Sequence, residues 1–432
     1  MKPLVGLMST TPEAISSAEV DLGSRSVAAS DSPVVLISIM TETRGGHFVH
    51  YHMMVGRVTR ALGWRHVCAV DEACTTDIPQ DWMRCLKYSH DLKTPGVQPM
   101  IKERRFLSLL RETFHALRQS VELGRSIRNL VLQVTQPGER AILFMEWFNP
   151  FHLLALWIGI IGTRVSSERR VRPACWIMFR YIYDLPRLHM LAHKIVLTLI
   201  DRVIGRENLK ILAEWEQAAS QYATFFRRNV TVVPLWFPWA GNEVGNRKRE
   251  GSVIVCWWPG IPSPRKGSAT IRLVTTLADE RSASDLPIEL HAAESLGAQS
   301  PADGVMLVTH EPRMSTEAYV AQMNRTDIVL LPYESVPYAT ITSGIFMEAV
   351  MSERVPLVTA NTTMASELLR YGLGRYVVDW TASTFWRTVR EVFADEELRT
   401  RLAHMRRDYA KRFSDERTAE WMRKLVEGCT FR

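Results

Sequence analysis

The sequence predicts an α/β protein built from two Rossmann-like domains. Two regions of the chain carry short apolar runs of strand length that alternate with longer amphipathic stretches of helix length. Such alternation is typical of βαβ units, and therefore of sheets with mainly parallel strands. Between the two regions, residues 241–251 are polar, charged and glycine-containing, which predicts a linker.

Each region contains several candidate strands with helical patterns between most of them. The candidates are residues 34–39, 141–145, 175–179, 209–213 and 230–234 in the first region, and 253–258, 288–291, 305–308, 328–331, 355–358 and 376–378 in the second. A helical stretch extends from the glycines after the first strand through Leu62, and long helical patterns cover residues 102–134 and 187–204. These elements predict a domain over residues 34–240 and another over residues 252–414.

The two ends of the chain differ in character. Residues 1–33 are rich in serine and alanine and weakly patterned, which predicts a flexible lead-in without a secretory signal. The tail is helical: one apolar face has spacings of 4, 3, 4 and 4 residues from Leu398 to Phe413, and Asp395 is a candidate N-cap. Residues 415–432 predict a further C-terminal helix.

Composition excludes several classes of protein. Of the 432 residues, 46% are hydrophobic and 23% charged, which is typical of a globular protein. The apolar run at residues 150–162 is shorter than the roughly 20 residues of a membrane span, which favours a buried helix. Six cysteines without zinc-site spacing favour a reducing compartment. The net charge of +7 suits anionic partners, but no recognition motif supports nucleic-acid binding.

A basic, glycine-containing loop follows the first strand of the second region. Residues 258–267 read WPGIPSPRKG, end in Arg265, Lys266 and Gly267, and precede a helix. A helix N-terminus offers free N–H groups and a positive dipole end, and the two cations add charge there. The loop therefore predicts a clamp for a diphosphate leaving group. A solvated basic loop is the alternative.

A second loop of the same region also leads into a helix. It runs from Tyr333 to Thr342, Ser343 and Gly344, and Glu348 lies one turn into the helix. Small residues at a helix start leave room for a phosphate against backbone N–H groups. A carboxylate can accept two hydroxyl hydrogen bonds, which suits a ribose diol. The alternatives are a plain N-cap at Ser343 and a solvent-facing Glu348.

In combination, these loops resemble the C-terminal domain of the GT-B glycosyltransferases, in the retaining, family-4-like group 1 class. In that class a Lys-Gly loop binds the donor diphosphate, and a Glu on the helix before a Val-Pro strand contacts the donor ribose. Matching segments are Arg265-Lys266-Gly267, Glu348-Ala349, VPLV at residues 355–358 and SEL at residues 366–368. The resemblance covers residues 253–413. It implies two Rossmann-like domains facing a cleft, and it allows C-terminal helices to cross back to the N-terminal domain.

One position departs from that class. Its E-x7-E motif has a first Glu eight residues before the second, and Thr340 occupies that position here. Because the first Glu often lies near the transferred sugar, the donor sugar and the stereochemical outcome stay open.

The first region resembles the class more loosely. Gly45, Gly46 and His47 follow the first strand, where the class has a glycine-rich loop that faces the cleft. Glycines allow close approach of donor or acceptor, and His47 could orient a sugar hydroxyl or act as a base. Glu42 and Glu146 lie at or just after strand ends, and either could reach the cleft.

Other histidines and basic residues carry weaker predictions. His50 and His52 do not converge on a metal without an added carboxylate. His189 and His193 lack the intervening Glu of a zinc motif, which favours packed or surface histidines. The basic stretch at residues 102–128 is typical of a solvated helix face, with an anionic or lipid-linked acceptor as the alternative.

The sequence therefore predicts transfer of a sugar from a nucleotide-diphosphate donor to an acceptor hydroxyl. Arg265 and Lys266 would neutralise the leaving diphosphate. Because no D-x-D follows a strand, no metal or cofactor is predicted. The resemblance implies a carbohydrate or lipid-linked acceptor, polysaccharide or glycolipid synthesis and a cytoplasmic location, with peripheral contact at the inner membrane face left open. The alternatives are a non-catalytic or divergent nucleotide-sugar-binding GT-B protein and a different GT-B chemistry.

Overall fold

The apolar runs of the first region form strands that pair in one parallel sheet. In the computed structural model, the described residues are 32–43, 46–92, 105–166, 170–180, 187–233, 253–276, 287–297, 305–312 and 314–431. The strands of this sheet are β1 (Val34–Met40), β2 (Arg65–Asp71), β3 (Met83–Leu86), β4 (Arg140–Glu146), β5 (Ala174–Phe179), β6 (Leu209–Ala213) and β7 (Val230–Val232). Their order is β3-β2-β1-β4-β5-β6-β7, and all pairs are parallel.

The second region forms a second parallel sheet. Its strands are β8 (Ile254–Trp257), β9 (Ile288–Ala293), β10 (Val305–His310), β11 (Ile328–Leu331), β12 (Val355–Thr359) and β13 (Val377–Val378). They lie in the order β10-β9-β8-β11-β12-β13. The α/β class and the two Rossmann-like sheets predicted from the sequence are confirmed.

Helices connect the strands of both sheets. Those of the first region are α1 (Gly46–Ala61), α2 (Arg105–Val134), α3 (Pro150–Arg164), α4 (Arg187–Ile204) and α5 (Glu216–Phe226). The second region has α6 (Ser268–Thr276), α7 (Thr316–Arg325), α8 (Ser335–Tyr338), α9 (Gly344–Met351), α10 (Thr363–Arg370), α11 (Ala382–Glu391), α12 (Leu398–Arg412) and α13 (Asp415–Glu427).

Helices cover both faces of the first sheet. Alternate residues of a strand point to opposite faces. Val35 and Ile37 of β1 pack in a core with α2, α3, α4 and α5, whereas Val34 and Leu36 pack in another core with α1 and α13. The second sheet has one large core that also includes α12.

The last helix crosses back to the first sheet. Met422 and Leu425 of α13 are buried with Leu36 and Trp176 of that sheet. An ion pair of 2.7 Å joins the Arg57 guanidinium on α1 to the Asp415 carboxylate at the start of α13. The predicted crossing of the C-terminal helix is therefore confirmed.

Two strands were not predicted, and the predicted N-cap of one helix differs from the observed one. The strands β2 and β3 lack a long apolar run, because β2 begins with Arg65 and His66 and β3 has only four residues. The helix α12 begins at Leu398 without a side-chain cap. Glu397, not Asp395, directly precedes the first residue of this helix. The Asp395 carboxylate accepts hydrogen bonds from the Glu397 N–H (3.1 Å), just before the helix, and from the Tyr376 hydroxyl (2.9 Å).

The apolar run at residues 150–162 lies in α3, whose residues Leu153, Ala155 and Leu156 are fully buried. Among the helices in the described part of the chain, none has the length and apolarity needed to cross a bilayer. The predicted linker at residues 241–251 and the predicted lead-in up to residue 31 lie outside the described residues.

Candidate functional site

The two predicted loops lie side by side at the point where the strand order of the second sheet reverses. The loop with Lys266 follows β8, and the loop with Ser343 follows β11, which is the neighbour of β8 in the sheet. From β8, the chain continues toward β9 on one side and returns at β11 on the other. Open parallel sheets bind ligands outside the carboxyl ends of their strands at such a switch point.

Direct contacts join the two loops. The Glu334 backbone N–H donates to the Arg265 carbonyl oxygen (3.0 Å). Within the first loop, the Trp258 indole N–H donates to the Lys266 carbonyl oxygen (3.1 Å). Gly267 has φ +76°, and a Cβ atom there would lie 2.0 Å from the Pro332 carbonyl oxygen. Only glycine fits this close approach, so the glycine of the predicted Lys-Gly loop brings the loops together.

The Lys266 ammonium lies near the first turn of α9. A Cβ atom added to Gly260 would be 3.0 Å from Lys266 Nζ and 3.7 Å from Ile345 Cδ1. Burial lowers the pKa of Lys266, and the nearby Glu348 carboxylate opposes that shift. A partly desolvated cation therefore lies at a helix start whose free N–H groups also attract anions.

The residues that begin α9 divide into a cap and an unpartnered hydroxyl. Ser343 is the N-cap, and its Oγ accepts a hydrogen bond from the Phe346 N–H (3.4 Å), as predicted. The Ser343 hydroxyl also donates to the oxygen of Tyr333, which is 1% exposed. Thr342 Oγ1 is buried and has no hydrogen-bond partner among the described residues. A ligand oxygen at this position would satisfy it.

Glu348 is buried rather than solvent-facing. Its side chain is 7% exposed, and its carboxylate accepts a hydrogen bond from the Tyr319 hydroxyl. Burial raises the pKa of Glu348 to about 7, although the Tyr319 hydrogen bond and the Lys266 cation lower it. The alternative of a solvent-exposed helix Glu is wrong.

A series of side-chain contacts connects Glu348 to the strand β8 through Tyr319. The Tyr319 ring packs against the Trp257 indole with ring centroids 5.0 Å apart. The Trp257 indole N–H in turn donates to His310 Nε2 at 3.0 Å. Tyr319 was not predicted as a site residue, because it lies on α7, far from Glu348 along the chain. Thr340, at the position where an acidic residue was expected, is also buried.

A cavity of about 260 Å³ lies at the carboxyl ends of the first sheet. It lies at the corresponding switch point, between β1 and β4. Its walls include charged, imidazole and aromatic side chains, among them Glu42, His90, Trp147, Phe179, Arg180 and His193. The Glu42 carboxylate lies 3.3 Å from His90 Nε2.

Arg180 joins this cavity to a buried acidic pair. Its guanidinium lies 3.1 Å from a Glu146 carboxylate oxygen and donates from Nε to Glu214 at 2.6 Å. His52 Nε2 lies 3.1 Å from the other Glu146 oxygen, so Glu146 is an internal ion-pair partner. The sequence predicts that Glu146 could reach the cleft, whereas Arg180 was not predicted as a site residue. The signal was present, since Arg180 directly follows the buried strand β5.

Backbone groups hold two further histidines of this cavity, His152 and His193. His152 Nδ1 accepts from the Asn149 N–H (3.1 Å), so Nε2 carries the proton and donates to the Ser89 carbonyl oxygen (2.8 Å). Burial lowers the pKa of His152 to about 4. His193 is packed, as predicted, and its Nδ1 lies 2.8 Å from the His189 carbonyl oxygen. Both imidazoles are therefore neutral near pH 7.

Trp147 stands at the cavity wall in an unusual backbone conformation. Its φ is +53°, which is an outlier for so bulky a residue. Its side chain is 38% exposed, and its ring lies 5.2 Å from that of Phe48. Strained residues of this kind cluster at ligand sites.

Comparison with known proteins gives structural but no sequence matches. No protein-family profile matches the chain, and no curated protein sequence matches it. Solved structures match over nearly its whole length. An N-terminal domain of trehalose-6-phosphate phosphatase from Candida albicans has 10% identity and a TM-score of 0.61, and the match covers 94% of this chain and 99% of that one.

Two bacterial structures match similarly. One, from E. coli, is described as trehalose-6-phosphate bound with UDP-2-fluoro glucose. It has 12% identity and a TM-score of 0.57, and the match covers 92% of this chain and 100% of that one. The other is an α,α-trehalose 6-phosphate synthase from Burkholderia multivorans. It has 10% identity and a TM-score of 0.55, and the match covers 92% of this chain and 98% of that one. The fold is GT-B. At such identities the likeness concerns the fold, and the GT-B resemblance predicted from the sequence is confirmed at that level.

The structure describes the predicted site residues of the C-terminal half, but only some of those of the N-terminal half. In the C-terminal half, Lys266, Ser343 and Glu348 come together, while Tyr333 is enclosed beneath Ser343. In the N-terminal half, Gly46 and His47 begin α1. Gly45 and the side chain of His47 lie outside the described residues. The roles predicted for the glycines and for His47 therefore stay predictions.

Proposed function

We propose that this chain transfers a sugar from a nucleotide-diphosphate donor to an acceptor hydroxyl. The observation that carries the proposal is the start of α9, where the Lys266 ammonium and the unpartnered Thr342 hydroxyl accompany the free N–H groups of the helix. These groups suit a diphosphate. Glu348, one turn further on, suits the two hydroxyls of a ribose.

The chemistry proposed for this site is charge stabilisation. The bond between the anomeric carbon and the phosphate oxygen breaks, a bond forms to the acceptor oxygen, and the acceptor proton passes to the released diphosphate or to a base such as His47. Negative charge grows on the diphosphate as it leaves. Lys266 and Arg265 would stabilise that charge, with no metal required in this proposal.

The cavity of the N-terminal half is the proposed acceptor site. Arg180 and the Glu42–His90 pair offer groups that can bind sugar hydroxyls, and the half-exposed Trp147 ring offers a face on which a sugar can pack. We accordingly propose a carbohydrate acceptor and, for the pathway, polysaccharide or glycolipid synthesis in the cytoplasm.

Thermal unfolding with a panel of nucleoside diphosphates and their sugars tests the donor site. A donor at about 100 times its Kd should stabilise the protein by about 2.7 kcal/mol. Lys266→Ala should weaken binding of the nucleotide sugar much more than binding of the free nucleoside. Lys411→Ala, which removes an exposed lysine of α12, is the matched control and should change neither. Absence of any nucleotide-dependent shift, or equal losses for both ligands, would contradict the proposal.

A non-catalytic nucleotide-sugar-binding protein is the second candidate. Thr340 favours it, because an uncharged residue replaces the carboxylate that the class places near the transferred sugar. Release of nucleoside diphosphate in the presence of carbohydrate acceptors distinguishes the two. Tight donor binding without turnover on any acceptor would support the second candidate.

We further propose peripheral contact with an anionic membrane through α2 and α4. Both helices expose large apolar side chains near their N-terminal ends, namely Leu110, Phe114, Leu117, Leu188, Leu191 and Ile195. Arg111 and Arg118 of α2 are exposed on the same stretch, and Lys194 lies on α4. Both helices begin on the edge of the sheet that carries the proposed acceptor cavity. Exposed apolar residues interspersed with cations suit the surface of an anionic bilayer.

Co-sedimentation with vesicles tests the membrane contact. The wild type should bind vesicles containing phosphatidylglycerol and bind pure phosphatidylcholine weakly. The double variant Phe114→Ser, Leu188→Ser should lose most of this binding, whereas Met306→Ser, which changes an exposed methionine of β10, should keep it. If the wild type is a dimer that the double variant converts to a monomer, a second copy covers this surface and the membrane proposal is wrong.

A further inference from the structure

A second cavity, with basic side chains in its walls, lies at the opposite edge of the first sheet from the proposed acceptor cavity. It has a volume of about 390 Å³ and includes the residues that begin β6 and β7 together with α13. It shares no lining residue with the cavity at the carboxyl ends of the strands. Ligand sites for small molecules commonly have about 300–1,000 Å³.

The charge of this cavity has one sign. Four cationic side chains line it, and none of the lining residues is a carboxylate; the cations are Arg206, Lys210, Arg228 and Lys424. Arg228 is paired with Asp201, and Lys424 with Glu420 at 2.7 Å. In the described part of the chain, Arg206 and Lys210 have no carboxylate within ion-pair distance. The local excess is therefore about two positive charges.

Backbone carbonyl groups, which carry no net charge, hold three of these cations in place: Arg206, Lys210 and Arg228. Arg206 Nη2 donates to the Arg227 carbonyl oxygen at 3.0 Å, and Arg228 Nη2 donates to the Arg206 and Leu209 carbonyl oxygens at 3.2 Å each. Lys210 Nζ donates to the Gly428 carbonyl oxygen at 2.6 Å. A set of oriented cations of this kind matches the oxygens of a phosphate group.

Trp421 supplies an additional, independent observation. It lines the cavity from α13, and its indole Nε1 is buried without a hydrogen-bond partner among the described residues. Buried polar groups are rarely left without a partner. An acceptor oxygen in the cavity would complete it.

We infer that this cavity binds a soluble phosphorylated small molecule, such as a diphosphate or a phosphate ester with at least two negative charges. The ligand contacts Arg206 and Lys210 on the sheet side and Trp421 and Lys424 on α13. It therefore connects the last helix of the chain to the first sheet, at a place separate from the proposed donor and acceptor sites.

Isothermal titration with inorganic pyrophosphate tests this site. Because pyrophosphate can also occupy the proposed donor loop, the titration uses Lys266→Ala as the parent protein. In that background, Arg206→Ala and Lys424→Ala should each weaken pyrophosphate binding about tenfold or more, since each removes a charged hydrogen-bond donor. Arg423→Ala changes an exposed arginine of α13 that does not line the cavity, and it should alter the affinity less than twofold.

The possible results separate this inference from the proposed function. Loss of pyrophosphate binding through Lys266→Ala alone, or equal affinities of the Arg206, Lys424 and Arg423 variants, would overturn the inference. Retained pyrophosphate binding in the Lys266→Ala parent, with no nucleotide-sugar binding in the wild type, would overturn the proposed function and leave the inference standing. Melting temperatures without ligand show whether each variant is folded.

Discussion

At the residue scale, glycine and buried polar side chains decide the geometry of the candidate donor site. Gly267 lets the loop after β8 touch the loop after β11. The Lys266 ammonium lies beside Gly260, where a larger residue would place a side chain against it. Burial then sets the electrostatics: it disfavours the charged forms of both Lys266 and Glu348. A polyanionic ligand beside Lys266 would favour its charged form and so recover part of that cost.

Glu348 should make the free protein less stable as pH rises. Its pKa is about 7 in the folded protein against a usual value of 4.5, so the folded state holds the proton more strongly. The stabilisation is fully present below pH 4.5 and is lost as pH rises through 7, by an amount on the order of 3 kcal/mol. Urea unfolding at pH 5 and pH 8 should show a smaller loss of stability between these pH values for Glu348→Gln than for the wild type.

The control for this experiment is Glu427→Gln, at an exposed position of α13. Its free energy of unfolding should change between pH 5 and pH 8 by the same amount as that of the wild type. If Glu348→Gln also keeps the full wild-type change, the proton that is lost over this range does not come from Glu348.

At the scale of elements, the patterns that rest on local physics were predicted well. The strands β6 and β11 and the helix α4 have the predicted bounds, because each is a buried run or an amphipathic stretch with a clear period. The edge strand β3 and the strand β2 escaped prediction, because pairing with neighbours rather than apolar content defines them. Asp395 shows the same limit, because one of its carboxylate oxygens accepts a hydrogen bond from the Tyr376 hydroxyl, a contact that no local pattern specifies.

Among the site residues, those with local contacts were predicted and those with distant partners were not. Ser343 was predicted as a cap because capping depends on residues three apart. Tyr319, Arg180 and His90 were missed as site residues because their roles depend on partners from other elements. Arg180 alone had a usable signal, its position directly after a buried strand.

At the scale of the whole molecule, the last helix belongs to the core of the first sheet although it follows the second sheet in the chain. Met422 of α13 is 7% exposed and packs in the same core as Leu36 of β1. A further contact joins the two regions: the Arg412 guanidinium lies 4.6 Å from the centre of the Trp215 ring. The stability of the first region therefore depends on residues near the end of the chain.

Met422→Ala should destabilise the protein by about 2–5 kcal/mol, the usual range when a buried methionine is truncated to alanine. The neighbouring Arg423→Ala changes an exposed side chain and should cost less than about 0.5 kcal/mol. Urea unfolding measures both. Similar small values for the two variants would show that α13 does not contribute to the core as described.

The sequence by itself determined the class of fold, the two parallel sheets, the loop pair 258–267 and 333–344, and the resemblance to GT-B proteins. These depend on periodicity and on motifs whose residues are close in the chain. Only the tertiary structure decided that Gly267 touches Pro332, that Glu348 is buried against Tyr319, and that α13 closes a basic cavity on the first sheet. Burial and contact between distant elements arise when the chain packs, and no local pattern specifies them.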